Sequence, residues 1–137
     1  MDPGLPFLGN LRDVLDIAVT QKRKAQKRKA PSLDKQIGWV TEVADAWRNM
    51  VAYYGQAELY DSYRLPEAEV EALKKQYDDL EALFMNINFD VREGKLQLRK
   101  LQSIDDAKDF VRDQLSGEQK KIVRFARGSY NEDDFFN

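Results

Sequence analysis

Apolar positions along this chain recur mostly at intervals of three and four, the period of helices that bury one face. After the opening MDPGLPFLGN, Asn10 offers an N-cap with Asp13 three residues on, and Leu11, Val14, Leu15 and Ala18 follow at helical spacing. The apolar stripe ends at Val19. From Gln21 to Lys29 every residue is charged, Gln or Ala, all compatible with helix, and Pro31 stops the run. Ser32 opens a second helix, whose Ile37, Trp39, Val40, Val43, Ala44, Trp47, Met50, Val51 and Tyr54 fall within an arc of about 160°. So wide a stripe predicts a central helix touching more than one neighbour. Gly55 is the expected stop, and the link QAELYDSYR has room for a helical turn.

Pro66, followed by Glu67, Glu69 and Glu71, announces a third helix, with acids where the helix dipole favours them. Val70, Leu73, Tyr77, Leu80, Phe84, Ile87 and Val91 then alternate spacings of three and four, a heptad seam suited to in-chain packing or to a second helix from a partner. Met85, Ile87, Phe89 and Val91 also alternate with period two. Helix is expected to about Asn86, with a short β-hairpin around Glu93-Gly94 or an irregular turn through 87–99, although the helical period also runs into this stretch. Ser103 with Asp106, and Ser116 with Gln119, are capping-box pairs for two further helices, the last one stopped by Gly128. The expectation is a mainly α fold, a small bundle of four to five helices. Residues 1–9 form an N-terminal extension, 10–128 one helical domain with 20–30 projecting as a basic segment, and 129–137 an acidic, aromatic tail.

Composition narrows the chemistry. The 137 residues are 42% apolar and 34% charged, enough of each for a single folded, soluble domain. There is no Cys and no His, which removes disulfides, Cys/His zinc sites, the usual general base and the thiol nucleophile. No glycine-rich phosphate loop occurs, and the acidic clusters do not match a calcium loop. No enzyme, catalytic residue, metal or cofactor is expected. No apolar run approaches bilayer length, so membrane insertion is not expected. The opening residues do not resemble a secretory signal, which favours a soluble intracellular setting.

Net charge is −2, but it is unevenly spread. Lys22, Arg23, Lys24, Lys27, Arg28 and Lys29 place six cations in eight residues, leaving the rest of the chain distinctly acidic. With no buried face beyond Val19, that segment repels itself and would gain from an anion: a phosphate backbone or an acidic partner. The run also passes for a nuclear-import signal, a pattern of low specificity. Tyr53 lies off the central apolar arc and, with Tyr60 and Tyr63 in the link, reads as partner surface, as do Phe135 and Phe136 of the tail. The tail resembles in kind the acidic, Phe-bearing ends of single-strand-binding proteins. The likeness covers nine residues, ends on Asn137, and lacks the strands of their OB fold, so no family follows. Such a tail is expected to trail from the body, free to dock on a basic partner or on the 22–29 run. The sequence thus points to a non-enzymatic partner-binding or assembly protein, self-associating or hetero-binding. The alternative is a nucleic-acid-associated protein gripping phosphates through residues 22–29.

Overall fold

Pro31 disfavours helix at the residue before it, and the first described helix begins two residues later. The computed structural model describes residues 31–98 and 100–136. The cationic run 22–29 and the helix expected from Asn10 lie outside these residues. Among them are four helices: α1 (Leu33–Asp61), α2 (Glu67–Arg92), α3 (Ile104–Asp113) and α4 (Gly117–Ser129). Short 3-10 turns lie at Ser62–Arg64 and Glu132–Phe135, and no strand occurs among the described residues. The fold is mainly α, and Leu33–Asn137 form one compact unit.

The wide stripe of α1 does what its width predicts: the helix packs against α2, α3, α4 and the last 3-10 turn. Val40, Val43, Ala44, Trp47, Met50 and Val51 are fully buried, and the Trp47 ring meets Phe84 of α2 edge-on with centroids 6.4 Å apart. α1 does not stop at Gly55. It runs six residues further, and at Gly55 it meets α2 closely: a Cβ there would sit 2.8 Å from the Tyr77 ring. The glycine serves a helix crossing rather than a cap. The supposed link is thus largely helix, closed by Ser62, whose buried hydroxyl donates to the Leu59 carbonyl at 2.7 Å.

Pro66 stands at the N-cap of α2, and its carbonyl accepts from the Glu69 and Val70 amides. From Tyr77 on the heptad seam faces inward: Tyr77, Leu80, Phe84, Ile87 and Val91 are buried in the chain's own core, while Val70 and Leu73 at its start are half-buried. The same periodicity decides the end of the helix. Residues 87–92, where a hairpin strand was one expectation, are helical. Ile87 and Val91 are 3% and 5% exposed while Met85 and Phe89 are 55% and 57% exposed, so the four do not share one face as a strand requires. Glu93-Gly94 is not a hairpin turn but a helix ending. Gly94 takes φ +74°, and the Lys95 amide donates back to the Asp90 carbonyl at 2.8 Å.

Both serine caps form. The Ser103 hydroxyl accepts from the Asp106 amide, while the Asp106 carboxylate accepts from Gln102, one residue before the position a strict capping box uses. Ser116 and Gln119 make the reciprocal pair in full. α3 buries Ala107, Phe110 and Val111, and α4 buries Val123 and Ala126. Phe125 faces outward, 57% exposed.

Candidate functional site

The residues singled out by sequence fall into three groups. The six cations of 22–29 lie outside the described residues. Tyr53, Tyr60 and Tyr63 sit on the outer side of α1 and the turn after it, 59%, 82% and 73% exposed, whereas Trp47, Phe84, Tyr77 and Phe110 are sealed in the core. Tyr60 and Tyr63 make no ring contact with Tyr53 among the described residues. Instead, the Arg64 guanidinium lies over the Tyr63 ring, 5.3 Å from its centroid. Tyr53 makes its contact with the tail. Its ring meets Phe135 at 5.6 Å, Phe135 meets Tyr130 at 6.1 Å, and the Tyr130 hydroxyl donates to the Tyr53 carbonyl at 3.5 Å.

The tail does not trail away from the body, because one carboxylate ties it down. Asn131 caps the short 3-10 turn by accepting from the Asp133 amide, which aims Glu132 back at α1. The indole N–H of Trp47 donates to Glu132 Oε1 at 2.8 Å, and Arg127 donates from Nε to Oε2 at 2.8 Å. Lys108 Nζ stands 3.3 Å from Oε1. Burial alone would raise the Glu132 carboxyl. The Trp47 hydrogen bond and the charges of Arg127 and Lys108 outweigh it, and the net shift is downward. Two rings complete the cluster: Arg127 lies over Trp47 at 5.5 Å, and Lys108 over Phe136 at 5.1 Å. A fully buried indole, a nearly buried carboxylate and two cations therefore clamp the last turn to three helices. Sequence reasoning missed this clamp. Its sole local signal is Arg127 five residues before Glu132, since Trp47 and Lys108 are distant in sequence.

No group of three or more acidic side chains converges as a metal would need, among the described residues. Nor is any described helix long and apolar enough to cross a membrane. Comparison with protein-family models, with curated proteins and with solved structures finds no match to the chain. What the fold and its surface define is a helical body with a tyrosine-bearing outer flank and a clamped C-terminal turn.

Proposed function

We propose that this chain is a non-enzymatic binding or assembly protein that recognises a protein partner, or a second copy of itself, through the outer flank of α1. The observation carrying this reading is the exposure of Tyr60 and Tyr63, three residues apart and, at 82% and 73%, the most exposed large hydrophobic side chains among the described residues. A tyrosine offers a large, rigid contact area with a polar tip at low cost in rotamer entropy, which is why such residues dominate binding hot spots. Tyr53 extends the flank toward the tail, where Phe135 and Phe136 supply further half-buried rings. Light scattering over a wide concentration range tests self-association, and affinity capture from the source tests a hetero-partner. Either interaction should be lost in a Tyr60→Ser/Tyr63→Ser variant that keeps its helical circular dichroism. An interaction indifferent to that variant removes the flank from the proposal.

The charge run favours a second reading, in which Lys22, Arg23, Lys24, Lys27, Arg28 and Lys29 neutralise nucleic-acid phosphates without reading sequence. Binding to random duplex should then fall with salt, with a log–log slope of about −0.9 per phosphate contacted. Changing the six to Gln should abolish it. No binding at low salt ends this reading.

A further inference from the structure

α4 carries a basic stripe of which an ion pair accounts for Arg127 alone. Lys120, Arg124 and Arg127 stand at i, i+4 and i+7, on one face of the helix. That face and Arg112 from the end of α3 line a cleft of about 520 Å³, in which Glu132 is the one carboxylate. Two of the four cations are engaged: Arg127 with Glu132 at 2.8 Å, and Arg112 with Asp109 at 3.1 Å. Lys120 and Arg124 are exposed, repel each other across one helical turn, and have no carboxylate in ion-pairing range among the described residues. Glu132 cannot balance them, because its charge is already shared among Trp47, Arg127 and Lys108.

The cleft is thus left with an excess of positive charge, and its chemistry selects the anion. The two apolar side chains in its lining, Leu115 and Val123, are 6% and 4% exposed, so the ligand meets mainly the cationic side chains. Guanidinium forks suit oxyanions that accept two parallel hydrogen bonds, and an ammonium beside them adds a point charge. Several cations around one small volume favour several negative charges on one molecule. We propose that this cleft binds the phosphate groups of a small molecule carrying at least two of them, with Lys120 and Arg124 as the principal contacts.

Calorimetric titration of the full chain with pyrophosphate and with tripolyphosphate, at low and at moderate salt, tests this. The expected result is saturable binding at one site, weakened by salt. A Lys120→Gln/Arg124→Gln variant should weaken it about tenfold or more, and Lys75→Gln, on the far helix, should not. Changing the six cations of 22–29 to Gln should leave the site intact, which separates it from the nucleic-acid reading. The proposal is overturned if no saturable binding occurs, or if the Lys120/Arg124 variant binds as tightly as the parent. It is equally overturned if a single-stranded oligonucleotide occupies the cleft while pyrophosphate does not.

Discussion

One methyl group should act in opposite directions at two glycines of α1. At Gly38 a Cβ would meet nothing within 4 Å, on an exposed face inside the helix. Gly38→Ala should therefore stabilise the fold by about 0.5–1 kcal/mol, through a less mobile unfolded chain and better helix propensity. At Gly55 the same atom would lie 2.8 Å from Tyr77 Cδ1 and 2.9 Å from Cγ. Those atoms sit at the base of a buried ring, which cannot swing clear without moving α2 or the Tyr54 ring tilted against it at 6.3 Å. Overpacking of this kind costs about 1–3 kcal/mol, against about 1 kcal/mol gained in propensity, so Gly55→Ala should be a net loss. Urea midpoints of the two variants, moving apart from the parent, check both signs. Glu132 gives the second prediction at this scale. Its folded pKa lies below the ordinary carboxylate value, so its contribution is full above the unfolded pKa and disappears as pH falls through the folded one. Glu132→Gln should cost about 2 kcal/mol at neutral pH. It should also flatten the loss of stability below about pH 4.5, and thermal melts between pH 3 and 7 would show it.

Elements were readable from sequence where one signal dominated, and misread where two competed. The caps at Ser103 and Ser116 and the stripe of α1 each rest on local chemistry that tertiary packing left alone. The end of α2 offered two periods at once, and Met85, Ile87, Phe89 and Val91 satisfied both. Burial chose between them, because Ile87 and Val91 continue the line of Leu80 and Phe84 onto α1. Two glycines were ambiguous for the same reason. A glycine in the sequence marks either a turn or a close approach, and only the neighbouring helix shows that Gly55 is the second kind. Gly94 is the first kind, but it closes a helix instead of reversing a strand. Its positive φ is costly for a residue with a Cβ, so Gly94→Ala should lose about 1 kcal/mol. Gly94→Asn should lose less, because Asn tolerates that region. A variant pair with equal losses would argue against a left-handed helix cap. The basic cleft was not legible either. Arg112 belongs to a different helix from Lys120, Arg124 and Arg127, and only the folded chain sets them around one volume.

At the scale of the whole molecule, the clamp joins the end of the chain to the middle of its central helix. Trp47 and Glu132 are 85 residues apart, and their 2.8 Å hydrogen bond holds the final turn against α1, α3 and α4 together. A hydrogen bond to a charged partner is worth about 1.5–3 kcal/mol, and it is made here by an indole that is otherwise fully buried. Removing residues 131–137 would strip that donor of its acceptor and leave Arg127 and Lys108 without the carboxylate they share. It would also uncover the face of Tyr53 now covered by Phe135. The truncated chain should keep its helices, since none of the four depends on the tail for its caps, yet lose about 3 kcal/mol. In a Trp39→Phe background, Trp47 is the only indole left and reports the event directly. Its emission should shift to the red on truncation as water reaches the N–H, and the Glu132→Gln variant should shift it less, because the tail's rings still cover the site. If truncation changes neither the emission nor the unfolding midpoint, the clamp contributes nothing to the folded state in solution.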